Sequence, residues 1–146
     1  MKIKVIDDDS LRTILVEKIE NLTENEIYDY CIFLLNNCSL YIDYDYEKDV
    51  IIKMAVNEFE RYNKERTKLK SLRKMIFIIH AKARNHDDLM KNYLRSIGHL
   101  LATAHVKQHL EVALDYWIKV ANVKSNGDIK ESTKIRLLQI SFFNKE

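Results

Sequence analysis

The sequence predicts an all-α fold, one domain of about six helices, and three observations lead there. The 146 residues include no proline and only two glycines, Gly98 and Gly127. Sheet-containing folds use both residue types for turns, so their scarcity favours helices joined by short polar links. Apolar residues recur at helical spacing through most of the chain. The longest such stretch, about 87–122, would be roughly ten turns if unbroken, and the rest of the bundle is expected to pack around it. A chain of this length buries about 68–70% of its unfolded surface and needs no staples. With 47% hydrophobic and 32% charged residues, the composition is globular rather than disordered.

The elements follow in order. Residues 1–9 contain Ile3 and Val5 and then three aspartates, which reads as a short strand or an ordered arm. Ser10 is placed to cap a first helix carrying Leu11, Ile14, Leu15 and Ile19. Thr23 and Glu26 have capping-box spacing, and Ile27, Cys31, Leu34, Leu35 and Cys38 continue as the apolar stripe of a second helix. Cys31 and Cys38 lie about 10 Å apart by helical rise, too far for a disulfide. They read as reduced thiols.

A tyrosine and acid run, Tyr41 to Asp49, reads as a loop. A third helix starts near Glu47 with Ile51, Ala55, Phe59 and Tyr62 facing inward. Leu72, Ile76, Ile79 and Ala83 mark a fourth, with His80 on its border. The cluster Asn85–Asp88 ends it and caps the long helix. Gly127 supplies a turn, and a last helix runs from about Asp128 to Phe142.

The chemical constellations are few. On one long helix, Gly98, Ala102, His105, His109, Val112 and Tyr116 would form a narrow stripe, spaced by alternating steps of about four and three. His105 and His109, four apart, are spaced to share a transition metal. No third ligand stands nearby, Val106 occupies the place of the zincin glutamate, and His99 falls about 120° around the helix from the pair. The stripe therefore reads first as a packing seam, with a metal or small ligand on His105 and His109 as the alternative. Gly98 inside a helix costs roughly 1 kcal/mol relative to alanine, and close approach of another helix would explain it. Tyr41, Asp43, Tyr44, Asp45, Tyr46 and Glu47 offer aromatic area and negative charge to a basic partner, or else cover helix ends.

The basic run Lys64 to Lys74 lacks interleaved aromatics and reads as a solvated face. With a net charge of +2, nucleic acid and membrane are both unexpected as partners. Two glycines cannot build a phosphate-binding loop, and no nucleophile motif occurs. No cofactor is expected. MKIKVIDDD is no signal peptide and no window is long enough to cross a bilayer, so a cytoplasmic location is expected. Self-association is compatible with the apolar content, with no face assigned.

The stretch ARNHDDLMKNYLRSIGHLLATAHVKQHLEVALDYWIKVA resembles the bacterial putative immunity proteins linked to polymorphic toxin systems. The likeness rests on Gly98, His99, Ala102, Ala104, His105, His109, Ala113 and Tyr116. It extends over roughly 22–140, with Leu, Ile and Lys in place of the alanines frequent in that family. The resemblance implies a non-enzymatic protein that binds and neutralises a cognate toxin by surface contact.

Overall fold

The computed structural model describes residues 3–144 and contains seven α-helices: α1 (Asp9–Glu20), α2 (Glu24–Tyr41), α3 (Val50–Glu65), α4 (Leu69–Ala83), α5 (Asp88–Ala102), α6 (His109–Ser125) and α7 (Ile129–Ser141). Short 3-10 turns occupy Tyr46–Lys48 and Phe142–Asn144. No strand occurs among the described residues. Residues 3–8 form an arm, and Met1 and Lys2 lie outside the described residues.

Local sequence explains most boundaries. Asp8, rather than Ser10, caps α1: its carboxylate accepts from Leu11 N–H, and the Ser10 hydroxyl donates to the same group. The capping box at α2 is complete, with Thr23 Oγ1 accepting from Glu26 N–H and Glu26 Oε1 accepting from Thr23 N–H. Asp49 caps α3 and Asp87 caps α5. Gly127 turns the chain between α6 and α7 at φ 85°.

The long helix expected over 87–122 is two helices. Unbroken, 36 residues would extend about 54 Å, well past the width of a small domain. Its second half would then carry apolar residues with nothing to cover them. The chain reverses through residues 103–108 instead, and α6 folds back along α5. Thr103 Oγ1 donates to the Leu100 carbonyl at 2.6 Å and closes the end of α5. Lys107 Nζ donates to the carbonyls of Glu20 and Leu22, docking the turn on the α1–α2 link.

The reversal makes the α5–α6 hairpin the centre of the molecule. Tyr93, Leu94, Ile97, Leu110, Trp117 and Ile118 are all essentially inaccessible. α4 flanks α5, α3 flanks α4, α2 crosses α5, and α7 packs on α6 and α1. Ser96 Oγ donates to the Ala113 carbonyl across the hairpin at 2.8 Å.

A buried charge network fastens the arm. Arg136 of α7, fully buried, pairs with Asp7 at 2.8 Å and with Asp115 of α6 at 2.6 Å. Arg12 also reaches Asp115, at 2.8 Å. The side chain of Asn122 donates to the Ile6 carbonyl and accepts its N–H.

Candidate functional site

Four imidazoles from four segments meet where α4, α5 and α6 join. His80 comes from α4 and His99 from α5; His105 lies in the reversing turn and His109 opens α6. Ring centroids are 4.9 Å apart for His80–His99, 5.1 Å for His99–His109 and 5.5 Å for His105–His109. Tyr116 also stacks on His99, at 5.5 Å.

This arrangement corrects the single-helix stripe. His105 is not on a helix with His109, and the reversal brings His99 directly onto His109 instead of leaving it a third of a turn away. Their Nδ1 atoms are 2.9 Å apart, so one donates and the other accepts. Val112, also placed on the stripe, is on α6 with Tyr116, while Gly98 and Ala102 belong to α5.

Gly98 has a specific reason to be glycine. A Cβ there would lie 2.7 Å from both Cε1 and Nε2 of His80. The imidazole occupies the space that any side chain would need, which is the close approach from another helix that the sequence suggested. His80, the partner, is the residue that sequence reasoning missed. Its border position on the α4 stripe was the only signal.

The cluster is electrostatically one-sided. Burial lowers the pKa of all four rings. His99 is held down to about 3, by burial first and then by His80, His109 and Arg95. Arg95 and Arg84 also disfavour a charge on His80, as Arg73 does on His105. Among the described residues no carboxylate pairs with any of the rings. The Nδ1 atoms of His80 and His105 are buried without a hydrogen-bond partner. His109 Nδ1 is already engaged by His99, and among the described residues no group of three or more His, Cys, Asp or Glu side chains is placed to hold a metal ion. The rings pack against one another at the joint between three helices, and His80, His105 and His109 also line an open pocket with Arg73 and Phe77.

The tyrosine and acid run forms a separate site. Asp43, Asp45 and Glu47 are exposed, whereas Tyr41, Tyr44 and Tyr46 are half-buried. Each tyrosine is tied to a different part of the molecule. Tyr41 OH donates to Glu131 at 2.8 Å, and Lys124 lies over its ring. Tyr44 OH donates to Asp49, and its ring meets Tyr93 edge-on. Tyr46 OH donates to Asn36 at 2.9 Å. Burial raises the Asp49 carboxyl, but hydrogen bonds from Tyr44 and the Ile52 N–H, with Lys82 beside them, outweigh it and leave its pKa below the ordinary value. Asp43 turns the loop at φ 54°, a conformation that aspartate tolerates better than most residues. The run is thus a fixed loop that covers helix ends and carries three exposed carboxylates, of which Glu47 is paired with Lys53.

Elsewhere, Lys64, Lys68, Lys70, Arg73 and Lys74 are exposed along the α3–α4 connection and α4. Cys31 and Cys38 are free and buried, and burial pushes the Cys31 thiol up to about 12, which makes it a poor nucleophile. No helix among the described residues is long and apolar enough to cross a membrane.

The molecule is of the class of small all-helical bundles, with four histidines at one helix joint and a loop that carries exposed Asp43, Asp45 and Glu47. Residues 17–145 match the model of the Imm-5 like putative immunity protein family, and the chain belongs to that family. The match includes the whole histidine joint and the acidic loop but not the arm or the first two thirds of α1. No curated protein and no solved structure shows a significant match.

Proposed function

We propose that this protein protects its host cell by binding a cognate toxin in the cytoplasm, without chemistry of its own, and that the contact centres on Asp43, Asp45 and Glu47. Membership of the immunity family is the observation that carries the reading. The acidic loop supports the choice of surface. Tyr41, Tyr44 and Tyr46 hold it from three directions, so little conformational entropy remains to be lost on binding. Three exposed carboxylates steer a basic surface towards it.

The test pairs the protein with the toxin-like product encoded beside it. Co-expression should rescue growth. A variant carrying Asp43→Asn, Asp45→Lys and Glu47→Lys should lose protection and bind the toxin at least about a hundredfold more weakly, the scale expected when several contact charges are reversed. Asparagine keeps the left-handed backbone at position 43 accessible, and the variant, which loses the Asp45 cap on the Glu47 N–H and the Glu47–Lys53 pair, should still fold cooperatively at a cost of about 1 kcal/mol. Full protection by that variant would move the contact elsewhere. Failure of the unmodified protein to rescue any adjacent toxin would end the immunity reading.

A further inference from the structure

The pocket beside the histidine joint has a volume of about 320 Å³, within the roughly 300–1,000 Å³ typical of small-molecule sites. Arg73, Phe77 and His80 stand four and three positions apart on α4, which puts them on one face of that helix. His105 from the reversing turn and His109 from α6 complete the polar lining. Arg73 and Phe77 are exposed, and the three imidazoles are half-buried. A guanidinium, an aromatic ring and several ring nitrogens are thus offered to one volume.

The charge around this volume has one sign. Arg73 makes no ion pair among the described residues, and neither do Arg84 and Arg95, which stand near enough to oppose a charge on His80. From Arg66 to His86 the sequence holds no acidic residue. Glu111, the acid nearest to His109 along the chain, is drawn to Arg12 at 3.5 Å. Helix α6 opens at His109 with no side-chain cap from Gln108, so the positive end of its dipole adds to a field that the side chains already set. Positive groups gathered without a counter-charge disfavour one another, and an anion relieves that.

The ring nitrogens are suited to receive one. A neutral imidazole carries a single proton. Nδ1 of His105 is buried with no acceptor, so the proton belongs at Nε2, where water or a ligand can take the bond. Nδ1 of His109 meets Nδ1 of His99 at 2.9 Å. With His99 as the donor, His109 also presents its proton at Nε2, and an anion in the pocket selects that arrangement. We propose that this pocket binds a phosphate group, with the Arg73 guanidinium and the Nε2–H groups of His105 and His109 donating to its oxygens. Donors from three separate segments suit a tetrahedral, doubly charged ion, whereas a planar carboxylate is satisfied by one guanidinium alone. The phosphate can be free or carried on an ester, and Phe77, 68% exposed, offers a ring that only an ester would use. The site shares no residue with the proposed toxin contact and needs no toxin to be tested.

NMR of the full chain with isotope-labelled histidine, titrated with sodium phosphate against sodium chloride at constant ionic strength, reads the ring nitrogens directly. The signals of His105 and His109 should shift and saturate, with half-saturation at or below about 1 mM, within what a five-atom ligand can reach. The exposed His86 should not move. Arg73→Gln should weaken binding about tenfold or more and melt like the wild type, because Arg73 is exposed and unpaired. Lys130→Gln removes an equally exposed charge from α7 and should leave binding unchanged. Phenyl phosphate separates the two sources. Binding about threefold or more tighter than that of inorganic phosphate, with the gain lost in Phe77→Ala, marks an ester as the ligand; equal affinity marks the free ion, and either result upholds the site. Shifts that fail to saturate by about 50 mM phosphate overturn the proposal. So does a response of His86 as large as that of the joint, or an equal loss of binding in Arg73→Gln and Lys130→Gln.

Discussion

Gly98 and His80 show how much hangs on a single pair of residues. In most helices, Gly→Ala stabilises by roughly 1 kcal/mol through helix propensity. Here the new methyl would sit 2.7 Å from the His80 ring, and overpacking of this kind costs typically 1–3 kcal/mol. Gly98→Ala should therefore lower the stability of the wild type in denaturant titration. In a His80→Ala background the obstruction is gone, and the same change should raise stability by up to about 1 kcal/mol. Additive effects of the two substitutions would show that His80 is not what keeps position 98 empty. The need for a small residue was legible in the sequence, since a glycine within a helical pattern asks for a close neighbour. The identity of that neighbour was not: 18 positions separate the two residues, and periodicity within one helix says nothing about what another helix brings. The acidic loop was read more fully. Alternating tyrosines and acids suggested either a contact surface or a cover for helix ends, and the geometry shows the rings turned to the protein and the carboxylates exposed to water.

At the scale of the element, caps and stripes placed five of the helices well, and the sixth expected helix proved to be two. Helical spacing continues across residues 103–108 closely enough that Gly98, Ala102, His105 and His109 align on a helical wheel. Residues 103–108 hold neither a glycine nor a proline to mark a turn. The break comes from tertiary demand: α6 buries its apolar face only by folding back on α5. The buried Arg136 was equally hidden, because a lone arginine on an irregular amphipathic helix is usually solvated. Its partners Asp7 and Asp115 lie 129 and 21 positions away. Arg136→Ala would strand Asp7, whose side chain is 2% exposed, and leave Asp115 with Arg12 alone. Removing one member of a buried ion network costs about 3–5 kcal/mol, and urea titration should show a loss of that order. Asp7→Ala should cost less, because Arg136 keeps Asp115. A loss for Arg136→Ala within the roughly 0.5 kcal/mol typical of surface substitutions would mean that the network contributes little.

For the whole molecule, composition alone pointed to helices, but assembly decides how the protein responds to its surroundings. Helix α4, helix α5, the reversing turn and helix α6 each deliver one imidazole to the same joint, where Arg73, Arg84 and Arg95 add positive charge and no carboxylate among the described residues pairs with a ring. Each ring has a lower pKa in the folded state than its ordinary value of 6.5. The unfolded chain therefore takes up protons as the pH drops through about 6.5, while the folded joint resists them. Stability is fully present above that pH and is lost as the pH falls below it, with His99 withstanding protonation down to about 3. Linkage sets a ceiling of about 1.4 kcal/mol per pH unit for each ring, and the partial exposure of all four keeps the real slope below that. Between pH 6.5 and 5, before most carboxylates titrate, the unfolding free energy should decline steadily. His99→Gln, which cannot be protonated, should be less stable than the wild type at pH 7.5 through lost packing and yet show a shallower decline on acidification, so that the gap between the two proteins narrows. Equal slopes for both would show that His99 does not set the acid response, and a flat profile in the wild type over this interval would show that the four rings accept protons in the fold as readily as in the unfolded chain.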